Sequence, residues 1–347
     1  MKHLAAFLLL VACAVLALAG QVCTIDPPRA PGATGTGFYV VGSKLFDPTG
    51  TEFRIRGVNR NHWDSYGTPA GLPLSGANTE RIFLPLASKP TDPTHSGADY
   101  SWGIVSTQML AAGITPIPTN WTTTCKADAA SLSAAVDTWV AQASTWTQLN
   151  GSGLINVANE WGAANDPAWR DGYLAAIARL RAAGYTMPLV IDSGGCGQDA
   201  QDVIKYGPTL LATDPQHNLL FSVHVYGSWH FPATASWMQD YATAMAQLKA
   251  SGLPLIVGEF GPGRNVGPSP TMLPPERVVA DAEANGWGWM PWSWDDNNLA
   301  GCMSDDNGFS MTVKCGTYTG QDSDLTAFGR TMVGLLKSTG ATRARLR

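Results

Sequence analysis

Eight short apolar runs, separated by amphipathic helical patterns, set the strongest limit on what these 347 residues can fold into. They are RIRGVN (54–59), NTERIFLPL (78–86), ITPIPTNW (114–121), LINVANEW (154–161), PLVIDSG (188–194), LLFSVHVYG (219–227), PLIVGEFG (254–261) and GWGWMPWSW (286–294). Runs of this length, bounded by Gly, Pro and Asn, read as strands. Between them lie stretches such as PAWRDGYLAAIARLRAAG and TASWMQDYATAMAQLKASG, several ending on Gly, which takes the left-handed helix stop most easily. A last helical pattern, DSDLTAFGRTMVGLLKSTG, follows the eighth run. Strand and helix alternating eight times close most economically into an α/β (β/α)8 TIM barrel. An open doubly wound sheet is the alternative, but no GxGxxG turn follows the first run. Residues 37–53, two alternating runs around Asp-Pro-Thr-Gly, predict an N-terminal β-hairpin ahead of the barrel.

Residues 1–20, MKHLAAFLLLVACAVLALAG, have the basic start, apolar run and small-residue end of a secretory signal peptide. The expectation is a secreted, extracellular protein whose residues 21–347 form a single catalytic domain and act as a monomer. No later segment approaches the length needed to span a membrane. The formal charge is −5 and only 14% of residues are charged, so no basic field is offered to nucleic acid. Thirteen Trp among so few charges instead suit a neutral, hydroxyl-rich ligand whose ring faces lie on indole.

Export makes disulfides plausible. Cys302 with Cys315 would staple one late loop, and Cys125 with Cys196 is a second candidate pair. No close CxxC, HxH or HExxH occurs, so no metal site is expected. None of the eight runs carries the Lys that Schiff-base chemistry needs.

Glu160 ends the fourth run and Glu259 lies at the end of the seventh. One Glu there reads equally well as the first solvated residue after a strand. Two, on non-adjacent strands of one closed barrel, face each other across the mouth where catalytic groups gather. Carboxyls about 5–5.5 Å apart cleave a glycosidic bond with retention, whereas about 6.5–9.5 Å leaves room for water and gives inversion. Arg56 and Arg81, early in their strands, could each supply positive charge to Glu259 or close hydrogen bonds at the rim.

The stretches GFYVVGSKLFDPTGTEFRIRGVNRNH, GANTERIFL, LINVANEW, FSVHVY, LIVGEFG and GWGWMPWSW resemble glycoside hydrolase family 5 of clan A over residues 37–300. WRDGYLAAIARLRAAG and VIDSGGCGQD look closest to its bacterial endo-β-1,4-mannanase branch. The resemblance implies Glu160 as acid/base, Glu259 as nucleophile and Asn159 as hydrogen-bond partner of the sugar 2-hydroxyl. It further implies Arg81 as the buried partner of Glu259, His224 and Tyr226 reaching the two carboxyls, Trp294 as the floor beneath the sugar, and His62 lining the mouth. No cofactor is demanded, since acid/base help and a covalent intermediate suffice.

The chain departs from that pattern twice. Asn120 and Trp121 stand where a His-Asp pair is expected after the third strand, and Cys196 stands where relatives often have Trp. Substrate preference therefore transfers less directly than the two-carboxylate chemistry. The expected substrate is a β-linked polysaccharide such as mannan or glucomannan. The alternatives are an endo-β-1,4-glucanase and a non-catalytic carbohydrate-binding barrel, which would keep Trp platforms but need no opposed carboxylates.

Overall fold

A computed structural model describes residues 27–61, 71–83, 102–230, 239–262, 273–295, 309–313 and 317–344. Residues 1–20, His62, Cys302 and Cys315 lie outside these residues.

Eight parallel strands make one sheet in chain order: β1 (Gly57–Asn61), β2 (Thr79–Phe83), β3 (Thr115–Thr119), β4 (Ile155–Asn156), β5 (Leu189–Asp192), β6 (Leu219–Val225), β7 (Leu255–Phe260) and β8 (Gly288–Trp289). A parallel bridge between Arg56 and Trp289 joins the first strand to the last. Beyond it, Asn59 N donates to Pro291 O at 3.1 Å and Trp294 N to Asn59 O at 2.8 Å, so the sheet closes into the expected (β/α)8 barrel. Around it stand α1 (Trp102–Ala111), α2 (Ala129–Ala141), α3 (Pro167–Ala182), α4 (Ala200–Thr213), α5 (Tyr241–Ala250), α6 (Pro275–Asn285) and α7 (Ala327–Ala344). Asp128, Asp166, Asp199 and Asp240 cap α2, α3, α4 and α5 by accepting backbone N–H bonds, which satisfies donors the helices cannot satisfy themselves. Among the described residues no helix is long and apolar enough to cross a membrane.

Alternation along the strands sorts side chains into layers. Outward residues such as Ile155, Leu189, Ile191, Phe221, Val223 and Val257 join the helices in the larger core. Inward residues Ile117, Leu154, Val190, Leu220, Ile256 and Met290 fill the lower barrel. The predicted hairpin pairs Tyr39–Val41 with Lys44–Phe46 and adds Phe38, Val40 and Leu45 to that inner cluster, plugging the bottom of the barrel. Further along several strands the inward layer turns polar, with Asn59, Arg81, Asn156, Asp192 and Ser222 all buried. A dry apolar floor beneath a ring of polar side chains confines the charged chemistry to the C-terminal mouth.

Candidate active site

The fourth run is a regular strand only over Ile155–Asn156, because the chain then bends across its neighbours. Asn159 N donates to Asn120 O at 2.7 Å, and Glu160 adopts a left-handed φ of 53°. Such a backbone is uncommon for a residue with a side chain. It is held by a hydrogen bond from Glu160 N to the Asp192 carboxylate at 3.1 Å. The next residue, Trp161, is buried against Tyr173 with its ring N–H on Asp128 O, so the bend sends the indole into the helical layer and the carboxyl into the mouth.

Glu259 is aimed by a different device. Between β6 and β7 the pairing passes from Val257 opposite Val223 to Glu259 opposite His224, so Gly258 is the extra residue of a bulge. A Cβ there would lie 2.1 Å from Ser222 Oγ, so any residue but Gly requires that hydroxyl to turn away.

Arg81 joins these elements. Its Nη1 donates to Glu259 Oε1 at 2.5 Å and Asn59 Oδ1 at 3.1 Å. Its Nη2 donates to Asn159 Oδ1 at 2.6 Å, Asn156 Oδ1 at 2.8 Å and Asp192 Oδ2 at 3.0 Å. Tyr226 donates its phenol proton to Glu259 Oε2 at 3.0 Å. His224 Nδ1 lies 2.8 Å from Glu160 Oε1 and 3.6 Å from Glu259 Oε2, while its Nε2 is 3.6 Å from Asp192 Oδ2. One oxygen of each glutamate and a nitrogen of His224 all lie within 4.8 Å of one another. This trio also has the spacing of a metal-ligand set, and the charges around His224 favour its protonated imidazole.

That protonation follows from the charges. Burial pushes His224 down, yet the carboxylates of Glu259 and Asp192 outweigh it and bring the imidazole up to about 10. Burial likewise opposes the charge on Asp192, but Arg81 and His224 overcome it and hold the carboxyl at about 2. Arg81, buried with Asp192 and Glu259 beside it, is raised and stays cationic. Two cations thus face three carboxyls. Glu160 is the carboxyl pushed upward: burial is the main cause, the His224 hydrogen bond opposes it, and the charges of Glu259 and Asp192 add to it. Burial and the carboxyls of Glu259 and Glu160 push the Tyr226 phenol far up, so it remains a neutral donor.

Six sequence-predicted residues therefore converge: Glu160, Glu259, Arg81, Asn159, His224 and Tyr226. Trp294 and Asn120 do not act as expected, and of the two roles open to Arg56 it takes the hydrogen-bonding one. Arg56 points away from Glu259 and pairs with Glu283 of α6, Nε to Oε1 at 2.6 Å and Nη2 to Oε2 at 2.9 Å, which fastens the seam between the first and last strands. Trp294 is 0% exposed, edge-on to Tyr318, and offers no free ring face. Regular strand ends at Trp289 and the backbone bends afterwards, so it is Trp292, part-exposed and edge-to-face with Phe83 at 4.9 Å, that remains open. Asn120 is buried, accepting from Thr122 and donating to Ala135 O on α2, so its amide serves the turn and not the mouth. Trp121 is part-exposed on the same loop. The Cys125–Cys196 disulfide is present, with Cα atoms 4.5 Å apart.

The residues that sequence reasoning missed are Asp192, Asn156 and Asn59. Asp192 was legible only as a carboxylate inside an apolar run, VID, which signals a buried partner without saying which cation supplies it.

Residues 117–298 match the family described as Cellulase (glycosyl hydrolase family 5). The chain is 30% identical over 276 residues to a mannan endo-1,4-beta-mannosidase of Salipaludibacillus agaradhaerens, an alignment covering 76% of this chain and 82% of that one. It is 31% identical over 290 residues to a mannan endo-1,4-beta-mannosidase of Streptomyces lividans, covering 82% and 72% respectively. The solved mannohexaose complex of the Thermomonospora fusca beta-mannanase superposes with a TM-score of 0.65 at 27% identity, covering 86% of this chain and 94% of that one. With the barrel, the paired carboxyls and these relatives in agreement, the chain is a glycoside hydrolase and belongs to glycosyl hydrolase family 5.

Proposed function

We propose that this chain is a secreted, retaining endo-hydrolase of β-1,4-mannosidic linkages that works by double displacement. The observation that carries the reading is the pair of unlike carboxyls: oxygens of Glu160 and Glu259 lie within 4.8 Å of each other, one raised by burial and one fastened to Arg81. That proximity favours retention, because inversion needs carboxyls about 6.5–9.5 Å apart with water between them.

Glu160 gives its proton to the departing glycosidic oxygen while Glu259, oriented by Arg81 and Tyr226, attacks the anomeric carbon. Glu160, then ionised, takes a proton from the water that releases the glycosyl group. His224 holds the unused oxygen of Glu160. Asn159, fixed by Arg81 and by Thr124 Oγ1 at 2.9 Å, keeps one amide proton for the sugar 2-hydroxyl. Trp292 takes the platform role. Mannan as substrate is supported by the relatives, whose names are those of mannanases. The family's description as cellulases favours β-1,4-glucan as the second reading.

Incubation with mannan, glucomannan and cellulose tests both. Mixed-length manno-oligosaccharides are expected, with Glu160→Gln and Glu259→Gln each losing about 10²–10⁴-fold in kcat/KM on mannan. Binding without cleavage on every substrate, or single-sugar release from chain ends, would overturn the proposal.

A further inference from the structure

We propose that the Cys125–Cys196 disulfide is a positioning element for the proton-donating carboxyl, spanning the loops after β3 and β5 and setting a protonless sulfur against Oε2 of Glu160. This deepens the reading of Glu160 as acid/base and rests on it. β4, which carries Glu160, lies between β3 and β5 in the sheet, so the bridge passes over the end of the intervening strand.

Cys125 Sγ is 3.5 Å from Glu160 Oε2. A disulfide sulfur carries no hydrogen, so this approach is a contact and not a hydrogen bond. Oε1 takes the His224 N–H, while Oε2 meets the sulfur. With Oε1 engaged by the imidazole, the acidic proton belongs on Oε2. A hydroxyl or water at the place of that sulfur would donate to Oε2 and favour the ionised form.

The other half of the bridge acts on His224. Gly195, Cys196 and Gly197 take left-handed φ values of 60°, 55° and 73°, and a Cβ on Gly197 would fall 2.5 Å from His224 Nδ1. His224 N donates to Gly197 O at 2.7 Å, so this loop presses on the imidazole that holds Oε1. Cys125 is itself left-handed, at 55°, beside Thr124, whose hydroxyl accepts from Asn159. One covalent link thus fixes the walls on both sides of the carboxyl.

The test compares the parent with Cys125→Ala/Cys196→Ala and Cys125→Ser/Cys196→Ser, measuring kcat/KM against pH on mannan and on a dinitrophenyl β-mannobioside, whose leaving group needs no proton. The basic limb on mannan is expected to move to lower pH by about one unit, a loss of about tenfold on that limb, with the Ser pair moving further than the Ala pair. kcat/KM on the dinitrophenyl substrate, which reports only glycosyl transfer to Glu259, stays within about threefold of the parent. If a double variant does not fold, the folded parent reduced with dithiothreitol, its two thiols counted by alkylation and mass, gives the same comparison. Superimposable profiles with only a lower Tm, or equal losses on both substrates, would overturn the positioning role. Glu160→Ala on the same two substrates separates the layers. Loss on mannan alone upholds Glu160 as the acid whatever the disulfide variants do, and loss on neither overturns that reading and this inference together.

Discussion

Asp192→Asn tests the charge balance of the mouth without altering a group that reaches solvent, since Asp192 is wholly buried. Asn keeps the size and removes the charge. In the folded chain Asp192 is held at about 2, against an ordinary 3.8, chiefly because Arg81 and His224 overcome the effect of burial. A depression of that size contributes roughly 2–3 kcal/mol of stability at neutral pH. The sign is that of a lowered carboxyl: the contribution is complete above about pH 4 and fades as the pH falls toward 2. Urea unfolding should therefore show the variant about 2–3 kcal/mol less stable than the parent at pH 7, with the gap roughly halved at pH 3. Losing this carboxylate also removes one of the charges that hold the proton on Glu160, so the basic limb of the pH–rate profile on mannan moves to lower pH. An equal stability gap at both pH values, or an unmoved basic limb, would refute the two-cation, three-carboxyl account.

Two further substitutions probe how the site is supported. Gly258→Ala sets a Cβ 2.1 Å from Ser222 Oγ, so kcat/KM on mannan should fall by about tenfold or more and Tm should drop. Adding Ser222→Ala, which removes the clashing oxygen, should restore part of both. Glu283→Gln should cost about 1–2 kcal/mol at pH 7 after allowance for solvent screening. Despite partial burial, Arg56, Trp289 and Arg54 hold Glu283 at about 2, so the cost should shrink as the pH falls from 4.5 toward 2. Because this cluster fastens the seam, the pH–rate profile of the folded variant should match the parent's.

Much of this molecule was legible in its sequence for identifiable reasons. Apolar runs of strand length, alternating with amphipathic helices, define a barrel through burial alone, and a barrel brings strand ends to one mouth, so Glu160 and Glu259 were placed together before any contact was known. Arg81 and Arg56 look alike in sequence, each a basic residue early in its strand. Their fates differ because Arg81 falls in the inward polar layer, whereas Arg56 sits at the closing seam within reach of Glu283. Trp292 and Trp294 share a parity that would place both on one face of an ideal strand, but the chain bends after Trp289 and buries the second. Asp192 shows the limit of local reading. Its burial makes sense through His224 and through Arg81, 111 residues away, and no pattern near VID announces those pairings.

Proton NMR of the first products of mannan hydrolysis, followed before mutarotation, tests the central claim most directly. Two carboxyls this close, one raised by burial and one fastened to Arg81, predict that the new reducing ends appear first as the β anomer. Initial α anomer would mean that water attacks directly, and a covalent intermediate on Glu259 would be contradicted.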